Sequence, residues 1–435
     1  MIALEYTAKD ILEIIEEEEI EFLYLQFTDI LGVMKNIAIT GDEIESALNG
    51  ELTFDGSSID GLVRVEEHDM CLKPDLETFL IYPWRGSFGR EARVICNICS
   101  PDGTPFKGDP RYILQNVVEE ANNMGFSFNF GPECEFFLFH TDSNGKPTLN
   151  THDDAGYFDL APVDLGENAR RDMVVTLKKM GFNVEASHHE VAPGQHEINL
   201  KQCSALYAAD NIVTFKTIVR KVAKNHGLHG TFMPKPLFNE AGSGMHLNIY
   251  MYKDGEDAFK GDQINYLSDE ALYFIGGILK HAKAICALTN PTVNSYKRLI
   301  SGFEAPHDIA WSFKNRGPLI RVPSLIKGKD VKLELRNPDP SCNPYLAFAV
   351  IIKAGIEGIK NKVLPGCPLE EIEGEVDKLP LSLESAIKAL SEDEVIKDAL
   401  KDHVFKTYVE AKTIEFQDYR SRITSWEIDQ YLTKF

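Results

Sequence analysis

Apolar and polar positions alternate with a period of two in four separated stretches, and in each the alternation sets acidic or imidazole groups on one side. The stretches are Gly131–Phe139 (GPECEFFLF), His189–Leu200 (HEVAPGQHEINL), Gly242–Tyr250 (GSGMHLNIY) and Lys332–Arg336 (KLELR). Such alternation predicts extended strands whose neighbouring side chains face opposite ways. Between them the apolar beat lengthens to the helical period. Asp109-Pro110 opens a helix that Gly125 closes, with Asp as cap and Pro in the first turn. Further helices are expected over Ala169–Met180, Ala205–His226, Asp269–Leu288 and Pro344–Lys362, and a charged helical portion from about Leu381. The first hundred residues read as a short acidic helix, Asp10–Glu19, entered through a capping box at Thr7. Strands follow at Glu21–Phe27, Val33–Ile39, Phe79–Tyr82 and Ala92–Ile98, and a Pro-, Gly- and Asp-rich break falls at Ser100–Asp109. The fold class expected is α+β, with a small domain over residues 1–104 and a large one over 105–435 whose antiparallel sheet carries the charged strands.

The charged strands carry the chemistry. Glu133 and Glu135 share a face, Glu190 and Glu197 flank a Pro-Gly turn, and His246 and Glu334 alternate with apolar neighbours. A Glu-x-Glu pair on a strand is ordinarily a solvated face. Here the pair sits among Phe128, Phe130, Phe136, Phe137 and Phe139, and Phe137 and Phe139 alternate on the glutamates' own face. Acidic groups on a largely buried strand need partners, and carboxylates gathered in one cavity suppress each other's ionisation unless cations join them. A divalent-metal site follows, and oxygen ligands with one His suit Mg²⁺ or Mn²⁺ better than zinc.

Composition narrows the function classes. A formal net charge of −22 over 435 residues argues against nucleic-acid binding, and an anionic ligand would need local Arg and metal to offset that field. No secretory leader and no apolar run near the ~20 residues of a membrane span is expected. The 8 cysteines show no disulfide framework, and Cys96-x-x-Cys99 has no second pair to make a zinc site. A reducing cytoplasm is the expected setting.

A cationic set complements the carboxylates: Arg298 in NSYKRL, Arg316 in KNRG, Arg321 in LIRVP and Arg336 in ELRNPDP. Surface ion pairing is the common fate of arginine, but Arg forks beside metal-binding carboxylates are what phosphoryl transfer requires. There is no P-loop, and GSGMHL lacks the third glycine of a dinucleotide fingerprint. Taken in order, DGSSIDG (Asp55–Gly61), GPECEFF, HHEVAPGQHEI, MPKPLF, GSGMH, NSYKRL, GFEAP, NRGPLIRVP, LELRNPDP with NPYLAFA, and the closing EFxxYxxxxTxWEIxxYL resemble type I glutamine synthetases along essentially the whole chain.

The resemblance implies a β-grasp-like first domain and a catalytic domain with a curved antiparallel sheet flanked by helices. It implies ATP-dependent ligation of ammonia to glutamate through γ-glutamyl phosphate, with two or more Mg²⁺ or Mn²⁺ ions. Glu135, Glu190 and Glu197 correspond to ligands of a first metal, and Glu133, His246 and Glu334 to those of a second. Glu185, Asn248, Lys329 and Lys332 correspond to ATP-binding positions. Gly242, Arg298 and Arg321 match glutamate-binding positions, and Arg316 and Arg336 contact the transferring phosphoryl. Asp55 takes the ammonium proton, Ser58, Tyr157 and Glu190 complete that pocket, and Glu304 shields the intermediate. A homo-dodecamer of two hexameric rings is implied, with Asp55 supplied by a neighbouring subunit and the last helix reaching into the opposite ring.

Departures from the family pattern are Ala241, Gln202, Gly317, and His307-Asp308. They keep open a γ-glutamyl ligase acting on a polyamine or other amine, with a catalytically silent relative as a third reading. The segment GEVDKLPLSLES lacks the tyrosine of the adenylylated subtype, and Arg64 matches a feedback-inhibition residue of the other subtype. A PII-like or repressor partner is compatible with that subtype.

Overall fold

The computed structural model describes residues 6–57, 59, 69–86, 89–261, 266–300, 302 and 305–435. The chain opens with the helix Ala8–Glu17. The Thr7 side chain accepts from the Asp10 amide while the Asp10 carboxylate accepts from Thr7, the reciprocal cap expected. This helix and Glu43–Leu48 cover a five-stranded sheet of order Met34–Ile39, Ile20–Thr28, Gly89–Cys99, Asp69–Gly86, Thr53–Asp55. Ile20–Thr28 and Gly89–Cys99 run parallel at its centre and the other pairs antiparallel. Leu23, Leu25, Leu72, Ala92 and Val94 are wholly buried there. Asp69–Gly86 is far longer than the four-residue strand expected around Phe79–Tyr82. Pro74 and Pro83, with two breaks in register against Gly89–Cys99, hide it from a reading of alternation.

The second, larger sheet is built on Phe126–Thr141. From one edge its strands run Asp308–Ser312, Pro318–Arg321, Leu333–Leu335, Met245–Lys253, Phe126–Thr141, Gln195–Leu200 and Val184–His189. Only the first pair is parallel along this path. Phe126, Phe128, Phe130, Cys134, Phe136 and Leu138 point into the main core, while Phe137 and Phe139 form a separate cluster with Ala192 on the opposite face. Phe130 stacks on Phe348 at 4.1 Å and Phe128 on Phe274 at 5.5 Å. Each such ring contributes about 1.5–3 kcal/mol by burial, so the sheet is anchored to the helices Asp269–Thr289 and Pro344–Asn361 behind it.

Those two helices meet at glycines. A Cβ on Gly277 would lie 2.1 Å from the Ala354 carbonyl oxygen, and one on Gly358 would lie 2.2 Å from that of Tyr273. Asp269–Thr289 corrects one expectation, since by length and composition it is apolar enough to cross a bilayer. It is a core helix, with 78% of its most apolar stretch buried within the protein.

Buried polar groups tie the first sheet to the helices Pro110–Asn123, Ala205–Asn225 and Pro344–Asn361 of the larger domain. Arg111, in the helix Pro110–Asn123, donates to Asp75 at 2.6 Å and Asn97 at 2.9 Å on the first sheet, and to both oxygens of Asp210 at 3.0 and 2.9 Å. The Tyr345 hydroxyl donates to Asp210 as well, at 2.7 Å.

Candidate active site

Strand register gathers the charged groups. His246 pairs with Glu133, Glu135 with Glu197, Glu197 with His188, and Asn248 and Arg321 each with Glu334. Directly opposed residues share a face, and so do residues two apart on one strand. Glu133, Glu135, His246, Asn248, Glu197, Glu334 and Arg321 therefore lie on the face away from the main core. Glu190 joins them because the turn Val191–Gly194 follows it tightly. The Glu190 amide donates to the Gln195 carbonyl at 2.8 Å, and Gly194 takes a φ of +67°.

Two ligand clusters result. Glu133, His246 and Glu334 present donor atoms within 4.8 Å of one another, and so do His188, Glu190 and Glu197. Glu135 flanks the second group, and its Oε2 accepts from Gln195 at 3.0 Å and from the Gly244 amide at 2.8 Å. His188 was missed in the sequence. Its Nε2 lies 2.8 Å from Glu190 Oε1 and 4.0 Å from Glu197 Oε2. The available signal was its place two residues before Glu190 on an alternating strand. Oxygen-rich sets with an imidazole in each fit a hard divalent cation.

The electrostatics point the same way. Burial, with Glu190 beside it, pushes Glu135 up to about 7. Burial, with Glu135, Glu133 and Glu190 around it, pushes Glu197 up to about 10. Burial also works against Glu133, but His246 and the Asn248 amide, donating at 2.8 Å, bring it down to about 2. Glu334 is lowered too, against its burial, by His246 and Arg336. The carboxylates around Glu197 thus carry more negative charge than their surroundings balance, which is the condition a cation relieves.

The cationic half adjoins them. Arg321 donates to Glu334 Oε2 at 2.7 Å, and Arg336 donates to Glu334 Oε1 and, through Nε, to the Arg316 carbonyl. Arg298 is buried, and donates to the main-chain carbonyls of Asn337, Pro338 and Arg336. Among the described residues no carboxylate lies within ion-pair distance of it. One small cavity is lined by Glu135, Glu190, His246, Gly242, Arg298 and Arg336 together, with Ala241 and Ala305 at its wall. Gly244 is fixed by this crowding, since a Cβ there would lie 2.4 Å from the Arg298 guanidinium and 3.2 Å from His246 Nε2.

The other expected positions are spread more widely. Tyr157 is half-exposed against Phe158 and His188, with Arg316 close enough to favour its ionised form while burial and Glu190 oppose it. Glu185 and Lys329 are exposed, and Lys332 is half-buried near enough to favour the Glu133 charge. Asn248 braces Glu133 rather than facing open solvent. Gln202 accepts from Asn129 at 3.1 Å and from the Tyr252 hydroxyl at 3.0 Å. Asp55 is exposed on the first sheet, held low by the Ser57 hydroxyl and by the Ser57 amide 2.8 Å away, and among the described residues pairs with none of the clustered carboxylates or arginines. Ser58, Arg64 and Glu304 lie outside the described residues.

Comparison with known proteins gives the family. Residues 19–101 match the glutamine synthetase β-grasp domain and residues 107–431 the glutamine synthetase catalytic domain. A glutamine synthetase of Clostridium saccharobutylicum is 52% identical, covering 99% of both chains, and one of Staphylococcus aureus strain N315 is 50% identical over the same share. Among solved structures, a protein named GmaS without ligand superposes with a TM-score of 0.89 at 33% identity, covering 98% of this chain and 99% of its own. The glutamine synthetase of Plasmodium falciparum gives 0.87 at 25% identity, covering 99% and 100%. With both domain models matched and half of all positions identical to full-length relatives, the chain belongs to the glutamine synthetase family, type I.

Proposed function

We propose that this chain is an ATP-dependent glutamate–ammonia ligase. The observation that carries the reading is the cavity in which Glu135, Glu190 and His246 meet Arg298 and Arg336. The glutamate γ-carboxylate attacks the γ-phosphoryl of ATP, giving γ-glutamyl phosphate and ADP. Ammonia then attacks the acyl carbon, and phosphate leaves with the C–O electrons. Phosphorylation is needed because a carboxylate is itself a poor electrophile.

Glu135, Glu190 and Glu197 hold one divalent cation, Mg²⁺ or Mn²⁺, and Glu133, His246 and Glu334 a second. Bound there, such ions neutralise the polyphosphate and polarise the transferring group. Arg336 and Arg316 stabilise charge that develops on the transferring phosphoryl. Arg298, Arg321 and the Gly242 main chain orient glutamate, while Glu185, Asn248, Lys329 and Lys332 serve ATP. Tyr157, Glu190 and Ser58 form the ammonium pocket, Asp55 removes its proton, and Glu304 screens the acyl phosphate from water. Arg64 serves glutamine feedback.

Residues 1–104 and 105–435 act as separate domains, and twelve copies assemble as two hexameric rings. Two observations support this. Asp55 stands exposed on a sheet other than the carboxylates'. The closing segment also leaves Ile423, Trp426, Leu432 and Phe435 exposed, as a helix that inserts elsewhere would. The eight cysteines are all free, which suits the cytoplasm.

The test is phosphate release and amide formation by purified protein given ATP, Mg²⁺, glutamate and either ammonium or a panel of primary amines and polyamines. Ammonium-dependent glutamine is expected. Turnover only with another amine, or none with any acceptor in folded protein, overturns the reading.

A further inference from the structure

Behind Glu190 and Glu197, on the opposite face of the sheet, lies a second polar assembly that the chemistry above does not use. Asp153, Asp164, Arg170, His189 and His196 are all buried, His189 and His196 completely. His189 and His196 are chain neighbours of Glu190 and Glu197, and adjacent strand residues face opposite ways. The group also has four metal-ligating side chains close together. Arg170 already supplies its positive charge, 2.7 Å from Asp164 and 2.8 Å from His196 Nδ1. A Cβ added to Gly166 would come within 2.5 Å of His196 Nε2, so this backbone closes that side of the imidazole. The assembly is a structural ion network rather than a third metal site.

Its connections lead to the metal-binding side. His189 Nδ1 lies 2.7 Å from the Glu190 carbonyl oxygen, and His189 Nε2 lies 2.9 Å from Asp153 Oδ1. Carbonyl and carboxylate both accept, so both ring nitrogens donate. The same Asp153 oxygen accepts from the Gly194 amide at 2.9 Å, at the far end of the turn that follows Glu190. The other oxygen accepts from Gly166 at 3.3 Å, and the His189 carbonyl accepts from the Phe158 amide at 3.1 Å. One carboxylate therefore ties together the start of the Glu190–Gln195 turn, through His189, its end at Gly194, and Gly166, while the His189 main chain holds the loop bearing Tyr157.

We infer that Asp153, acting through His189, is a positioning residue that fixes Glu190 and the turn leading to Glu197 for cation binding. The inference rests on the reading of Glu190 and Glu197 as metal ligands. Outer partners of this kind set the orientation of the ligand, and losing one weakens metal binding by about 10–100-fold.

The test is a Mn²⁺ titration of the full-length protein, with free ion read by electron paramagnetic resonance, alongside turnover as a function of Mn²⁺. Asp153→Ala removes the anchor. His189→Asn keeps a donor near the Glu190 carbonyl but loses Asp153, and carries the test should Asp153→Ala fail to fold. Each variant is expected to weaken one of two Mn²⁺ sites by about 10–100-fold, to leave the other within about twofold, and to recover turnover at high Mn²⁺. Asp210→Asn, which breaks a comparably buried network at Arg111, is expected to lower the melting temperature and leave both Mn²⁺ sites unchanged. Unchanged binding in folded His189→Asn, or equal weakening in Asp210→Asn, overturns the positioning role. Wild-type protein that binds no Mn²⁺ overturns the metal-site reading itself.

Discussion

Glu135 and Glu197 stand directly opposite each other across two antiparallel strands, both buried, and both are pushed above the ordinary carboxylate range, to about 7 and about 10. In the metal-free protein these carboxyls hold protons that the unfolded chain, near 4.5, has released. The folded state then binds more protons than the unfolded one, so stability falls as pH rises. The loss begins near the unfolded value and continues through about 7 for Glu135 and about 10 for Glu197. Thermal melts in chelator from pH 6 to pH 9 are expected to decline, and saturating Mn²⁺ to flatten that decline. Calorimetry in buffers of different ionisation enthalpy is expected to show proton release near pH 8 from the Mn²⁺ that binds beside Glu197, and none from carboxylates at the Glu133 and Glu334 site, which are already ionised. A melting temperature that rises with pH in chelator would contradict the shifts.

Asp55 lies on the first sheet and is exposed. Its proposed task is proton removal, which follows phosphoryl transfer. Asp55→Ala is expected to lower ammonium-dependent glutamine formation by about 10²–10⁴-fold. ATP binding, followed by a fluorescent analogue, is expected to hold. Undiminished synthesis removes Asp55 from the mechanism.

Gly244 has no room for a side chain between Arg298 and His246. Gly244→Ala is expected to displace the Arg298 guanidinium and raise the KM for glutamate by about 10-fold or more, a change worth about 1.4 kcal/mol or more. The KM for ATP is expected to move less. Equal changes in both constants would mean that the whole cavity had shifted.

Arg111 holds Asp75, Asn97 and Asp210 from one buried guanidinium. Arg111→Ala leaves those acceptors without their donor and is expected to cost about 3–5 kcal/mol. Denaturant unfolding measures the loss directly. A shift under about 1 kcal/mol would mean that water or a rearranged Tyr345 restores the network.

Much of the helical layout was legible because its signals are local. Asp109-Pro110, Gly125, Gly181 and Gly227 mark helix ends by chemistry confined to a few residues. The charged strands were legible through alternation. What stayed hidden depends on partners distant in sequence. His188 and His189 are adjacent and identical, yet one faces Glu190 and Glu197 while the other faces Asp153. Only the pairing of Val184–His189 with Gln195–Leu200 decides which is which. Arg170 lies in a helix whose pattern marks it as an ordinary surface arginine, and its burial follows from Asp164 and His196 meeting it in space. The strand Thr53–Asp55 is too short to show a period at all.

The apolar helix Asp269–Thr289 also bears on how the protein is made. Its covering helix begins at Pro344, later in the chain than Thr289. During synthesis from the N-terminus, the Gly277 face of this apolar segment must therefore wait, uncovered, while the strands carrying Arg321 and Glu334 are still being translated, even though Phe274 can already meet Phe128. That interval is the point at which the nascent polypeptide is most exposed to aggregation and most in need of a chaperone.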